Sequence, residues 1–228
     1  MLDHRYRTIL AMAIPLMGST FVQSIVLITD SSFLSRYSTV AFDAAGNGGL
    51  IYITLFMALV GMSDGAQILM ARRIGQNKEN LLARIFGTTL IMNLCSVLLL
   101  FMIIKWALPD IILGYVRHED IAIGQIDYIQ IRGYGLFFAI VSLTINAYFM
   151  AMGKTTVVFI SAILTAISNI GLDYVLIFGK MGLPEMGLRG AATASTISDG
   201  IGMVFLLLVL YYSKTQRRHQ LFSELSYN

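Results

Sequence analysis

Charge is scarce in this 228-residue chain, with Asp, Glu, Lys and Arg together making up 13%, against about a quarter in ordinary soluble domains. That leaves too little polar surface to cover a soluble fold. With 57% hydrophobic residues and a mean hydropathy of +0.74, the chain reads as an integral membrane protein. There is one cysteine, Cys95, so a disulfide within the chain is excluded. Lying in an apolar stretch, Cys95 is expected to pack between helices. His4, His118 and His219 fall in expected tails or connections. None has a Cys or carboxylate at metal-ligand spacing, so no zinc site is expected. Nucleophile elbow, phosphate loop and kinase signature are all missing, so neither an enzyme nor a bound cofactor is expected. The net charge is +3, but the basic residues flank apolar runs and form no single face. That pattern orients a chain in a membrane and gives no ground for a nucleic-acid partner.

A membrane span needs about 20 mostly apolar residues. Six segments qualify, at 8–35, 46–71, 81–108, 121–152, 155–178 and 188–213. The fold class is therefore all-α: a polytopic bundle of six transmembrane helices in contact with membrane lipid. Residues 1–213 form one lobe, and 214–228 form a polar tail or the start of a linker. The N-terminal segment is too long for a signal-peptide core and reads as a retained first helix. The connections are "RYSTVAFDAAG", "RRIGQNKEN", "PDIILGYVRHED", "GK" and "GKMGLPEMG", with "PDIILGYV" expected to lie along the membrane surface. Arg5, Arg7, Arg72, Arg73, Lys78, Arg84, Lys154, Lys214, Arg217 and Arg218 fall on one side; Arg36, Lys105, Arg117, Arg132, Lys180 and Arg189 fall on the other. Ten against six puts both termini in the cytoplasm.

Four carboxylates interrupt the apolar segments: Asp30, Asp64, Asp173 and Asp199. Each costs roughly 2.5–3.5 kcal/mol near the bilayer centre on insertion scales, so it is expected to face a bundle interior or an aqueous cavity. Asp30 precedes Arg36 by six residues, and Asp173 precedes Lys180 by seven. Both then lie on the order of 10 Å below the outer end of a helix running outward, where they can meet in one extracellular-side cavity. Ser161, Thr165, Asn169 and Asp173 recur every four residues and share a helix face. Gln23 precedes Asp30 by seven on a similar face. Pro15 removes a backbone hydrogen bond and is expected to kink the first helix. Asp64 is expected to pair with Arg72 or Arg73, or to cap a bend near Gly61 and Gly65. Asp199 lies nearer mid-helix. Two carboxylates, an amide oxygen and a hydroxyl suit either a shared proton or an alkali cation. The plainer alternative is a set of helix–helix hydrogen bonds, and runs such as "GAATAS" read as packing surfaces.

These residues resemble a family. Pro15, Gln23 and Asp30 look like the first helix of the multidrug and toxic compound extrusion (MATE) transporters. "GAQILMARRIGQNKEN", "NAYFMAMGKTTVVFISAI", "NIGLDYVLIFG" and "MGLRGAATAST" resemble its second helix end, its helix four to five junction, its Asn-x-x-x-Asp signature and the turn opening helix six. The resemblance implies secondary active export of an organic, often cationic, compound in exchange for Na⁺ or H⁺. It implies a cation site of Asp30, Asn169 and Asp173, which would ligate Na⁺ in a sodium-coupled member. Ser195 or Thr196 would add a hydroxyl. Gln23, Asn146 and Thr165 would line the same cavity, and Pro15 would be a hinge. It further implies the plasma membrane of a bacterium, and a missing carboxy-terminal lobe or a second chain as partner. A flippase for lipid-linked sugars and a non-transporting membrane scaffold are the competing functions.

Overall fold

A computed structural model describes residues 2–213, with the side chains of 2–5 left out. The expected tail at 214–228 lies outside the described residues. Among the described residues, six helical spans are long and apolar enough to cross a membrane. The helices are α1 (Leu2–Tyr37), α2 (Thr39–Gly75), α3 (Leu82–Met102), α4 (Leu108–Tyr115), α5 (Glu119–Ala151), α6 (Thr155–Ile177) and α7 (Gly187–Tyr212). A wide π turn, Ile103–Ala107, joins α3 to α4, so that Glu79–Tyr115 is one span.

The spans overrun their expected ends. The eleven residues of "RYSTVAFDAAG" shrink to a break at Ser38 alone. Ser38 is extended, and its hydroxyl accepts a hydrogen bond from the Ala41 N–H at 3.4 Å, which caps the next helix at once. Hydropathy marks where a chain leaves hydrocarbon, not where its helix stops. The segment "PDIILGYV" is helical as well. The π turn ends just before Pro109, which sits in the first turn of α4 where its missing N–H costs nothing. The helix therefore continues, and Ile112 is buried. Between α5 and α6 the expected two-residue connection is three residues long, 152–154. Gly153 takes a left-handed φ of 70°, and the Lys154 N–H reaches back to the Phe149 carbonyl at 2.8 Å.

Helix α1 packs on α6, α6 on α7, α7 on α5 and α5 on α2, and α1 meets α2 to close a ring. Helix α3 lies outside it, against α2 and α5. Small residues permit the close approaches. A Cβ at Gly190 would fall 2.7 Å from the Leu176 backbone carbonyl, so α6 and α7 meet only because α7 carries glycine there. Ala191, Ala192 and Ala194 are buried beside it, the packing role read from "GAATAS". One apolar cluster, including Met70, Phe86, Tyr148 and Leu210, fills the end of the ring where α2, α5 and α7 finish. Another, of Leu34, Ala41, Ile177 and Ala191, fills the opposite end.

Two expectations fail here. Cys95 is exposed. Asn93 and Val97, two residues to either side, face inward and are buried, so Cys95 lies on the opposite side of a helix that packs through one face. Asp64 is also exposed, and among the described residues it pairs with neither Arg72 nor Arg73. Eight residues span about 12 Å along a helix axis, beyond side-chain reach. Arg73 instead donates to Gln76 at 3.0 Å. Helix α2 runs through Gly61 and Gly65 without interruption.

A polar contact unanticipated from the sequence ties α3 to the ring. The Asn93 amide donates to Ser63 on α2 at 3.0 Å and to Thr144 on α5 at 3.1 Å, with all three side chains buried. Interhelical hydrogen bonds in membranes average about 0.6 kcal/mol and reach about 1.7. Asn93→Ala should lower stability to thermal denaturation in detergent by about 1 kcal/mol. Gly190→Val should do far more harm, since its side chain meets backbone that cannot yield, and loss of the folded fraction on size-exclusion chromatography would report it.

Candidate functional site

Asp30 on α1 and Asp173 on α6 have their carboxyl groups side by side, within hydrogen-bonding reach of each other. The pairing follows from periodicity, since each is placed one turn before an apolar residue of the closing cluster, Leu34 and Ile177. Phe33, Tyr174 and Phe178 stack beyond, with ring centroids 5.8 to 6.3 Å apart. The pair therefore lies beneath an apolar plug and not in a cavity open to that end.

Asn169 is one turn before Asp173 on the same face, and both are buried. Its amide donates to the Ser195 hydroxyl on α7 at 3.2 Å. Thr196 is turned away, and its hydroxyl serves the Ala192 carbonyl at 2.9 Å and the Ile131 carbonyl at 3.3 Å. Of the two hydroxyls considered, Ser195 is the one beside Asn169. Asp30 Oδ1, Asn169 Oδ1 and both Asp173 oxygens are buried and accept no hydrogen bond from the protein. Four buried oxygens without a donor are costly. No hydrogen bond joins two ionised carboxylates, whereas a single proton supplies one. A hard cation such as Na⁺ would bind the same oxygens. The donor set thus fits a small monovalent cation, which Asp30, Asn169 and Asp173 would hold.

Toward the opposite end of the ring lies a cavity of about 360 Å³, within the range of drug-sized sites. Gln23, Asn146, Ser161 and Thr165 line it together with Val26, Phe56 and Leu143. The Asn146 Oδ1 is buried without a donor. Gln23, Asn146 and Thr165 are thus gathered at one wall-to-wall space, whereas Asp30, Asn169 and Asp173 stand outside its lining. Pro15 is farther along α1, which continues as helix through it. The Ser19 and Thr20 hydroxyls converge on the Leu16 carbonyl there, at 2.7 and 3.1 Å.

Arg132 and Asp199 sit at the boundary between cavity and carboxylate pair. They are 2.8 Å apart, and the Tyr52 ring lies 4.3 Å from the guanidinium carbon. Sequence reasoning did not pair them, and it counted Arg132 among flanking charges. Arg132 lies within α5, inside the 121–152 segment in which the sequence places it. The available signal was one unmatched cation and one unmatched carboxylate in separate apolar segments.

The carboxylate pair gives a stability prediction. A ligand that binds only the folded form stabilises it by about 2.7 kcal/mol at a hundred times its Kd. Na⁺ or added protons should raise the thermal midpoint of the purified chain. Asp173→Asn, which removes one of the two like charges, should be more stable than wild type without the cation and should lose the cation-induced rise in differential scanning fluorimetry.

Known proteins align with this geometry. A family model described as MatE matches residues 15–175. A probable multidrug resistance protein NorM of Thermotoga maritima is 26% identical over 207 residues, covering 90% of this chain and 44% of that protein. The probable multidrug resistance protein YoeA of Bacillus subtilis is 26% identical over 217 residues, covering 95% and 46%. The chain spans about half the length of the curated relatives it matches. Among solved structures, a MOP superfamily transporter from Pyrococcus furiosus, described as having a binding pocket of reversed polarity, superposes with a TM-score of 0.84 at 20% identity, over 90% of this chain and 44% of that one. A crystal structure of MATE in its straight conformation gives 0.82 at 20% identity over 90% and 45%, which supports the fold.

Proposed function

The chain belongs to the MatE family, and we propose that it forms one lobe of a secondary active antiporter that exports organic compounds, often cationic, in exchange for Na⁺ or H⁺. The observation that carries this reading is the group of buried, donorless oxygens on Asp30, Asn169 and Asp173 beside a drug-sized cavity. In this mechanism Asp30 and Asp173 take up the coupling cation, while Asn169, braced by Ser195, orients its carbonyl toward it. Cation binding favours one orientation of the lobe by its differential affinity for the two states. Gln23, Asn146 and Thr165 line the compound's path, and Pro15 is the hinge of α1. Thr196 keeps a backbone-bracing role.

A twelve-helix exporter needs a second lobe, supplied by the missing carboxy-terminal half or by another chain. The multidrug resistance names of the relatives and their roughly doubled length support this. The membrane is the bacterial inner membrane, with both termini cytoplasmic. Moving Arg132 out of the flanking count leaves ten charges against five, consistent with that orientation. A lipid-linked sugar flippase would need free cations to hold a pyrophosphate. The cavity lining offers only Arg132, and it is tied to Asp199. A scaffold has no use for unpaired buried oxygens.

With a carboxy-terminal lobe present in liposomes, Asp173→Asn should abolish cation-driven efflux of a fluorescent organic cation while protein abundance stays at the wild-type level. Efflux at the wild-type rate in that variant would refute the assignment.

A further inference from the structure

One ion pair lines the cavity, and its cation also interacts with the carboxylate pair outside that lining. The charged and titratable groups facing Arg132 come from every helix of the ring. They are Asp199 on α7, Tyr52 on α2, Tyr128 one turn earlier on α5, Asp30 on α1 and Asp173 on α6. Direct contact is made with Asp199 through Nη1 at 2.8 Å. That hydrogen bond uses a single one of the five guanidinium N–H donors. The Tyr52 ring covers a face of the group, and its hydroxyl lies within hydrogen-bonding reach of it as well. Gly135 leaves the room. A Cβ there would come within 3.2 Å of Arg132 Nη1 and 3.3 Å of Asp199 Oδ2. Arg132 thus interacts with three carboxylates, of which Asp199 lines the cavity and Asp30 and Asp173 do not.

Resting on the exporter reading above, we propose that Arg132 is a tethered counter-ion shared between Asp199 in the cavity and the Asp30–Asp173 pair, through which an organic cation and the coupling cation exclude one another. An organic cation that docks on Asp199 displaces the guanidinium. The nearest unpaired negative groups are Asp30 and Asp173, and a guanidinium beside them repels the coupling cation. Conversely, a cation at Asp30 and Asp173 holds Arg132 on Asp199 and closes that carboxylate to the compound. Each ligand weakens the other by the same factor, without contact between the two. That mutual exclusion is what exchange requires.

The test is equilibrium binding of radiolabelled tetraphenylphosphonium to the purified chain in nanodiscs, with Na⁺ varied at constant ionic strength and pH varied separately. In wild type, the coupling ion should weaken binding by about tenfold, within the usual range for coupled sites. Arg132→Gln should bind the probe more tightly than wild type, and the coupling factor should fall to about twofold or less. Arg132→Lys, which keeps a tethered charge, should retain most of it. A purely structural ion pair would lower folded yield in both variants and leave the coupling factor of the folded fraction unchanged, and that result would overturn the proposal. If Arg132→Gln does not fold, Asp199→Asn decides. It leaves Asp30, Asn169 and Asp173 intact, yet should weaken binding of the coupling ion about tenfold by parking the guanidinium beside them, and unchanged ion binding would overturn the proposal. A wild-type chain that ignores both Na⁺ and pH refutes the exporter reading itself. Coupling in wild type that survives Arg132→Gln refutes only the role of Arg132.

Discussion

A hydrocarbon layer offers charged groups no water, so each must find compensation inside the protein. Among the described residues, Asp30, Asp173, Asp199 and Arg132 stand between the helices of this lobe, and the ring encloses them. The ring through α1, α6, α7, α5 and α2 brings Asp30 to Asp173 and Arg132 to Asp199, contacts that no single helix could make. Apolar clusters fill both ends of the ring. Polarity is thereby confined to a middle zone, where low dielectric strengthens every charge–charge interaction.

Enclosure at such short range depends on small side chains. Gly190 lets α7 lie against the α6 backbone, and at Gly202 a Cβ would collide with the Thr165 hydroxyl. The same approach carries Ser195 to Asn169. On the other side of the ring, the Asn93 contacts fasten α3, which contributes nothing to the cavity lining. Helix α1 is the most exposed of the described spans and packs mainly on α6. It carries Asp30 and Pro15.

Much of this was legible beforehand. Six apolar runs specified six spans, because the bilayer fixes how long such a run must be. The four-residue spacing of Ser161, Thr165, Asn169 and Asp173 specified one face, because helical geometry fixes which residues align. Errors arose where hydropathy stood in for helix structure. Residues 36–46 looked like a loop because they are polar, yet helix propensity and the Ser38 cap keep them helical. The segment opening at Pro109 was read as a connection, but the preceding π turn carries the helix into it. Cys95 and Asp64 were given inward roles on composition alone, whereas orientation depends on which neighbours each helix has.

The sequence by itself determined depth and face. The rise per residue and the helical period are the same in any fold, so Asp30 and Asp173 stand level and Asn169 stands with Asp173 whatever surrounds them. Tertiary structure alone decided which charge compensates which. That α7 lies between α5 and α6 is set by the summed packing of glycine and alanine faces, a property of several helices at once. Only this adjacency joins Asp199 to Arg132 and gives Asn169 to Ser195 instead of Thr196.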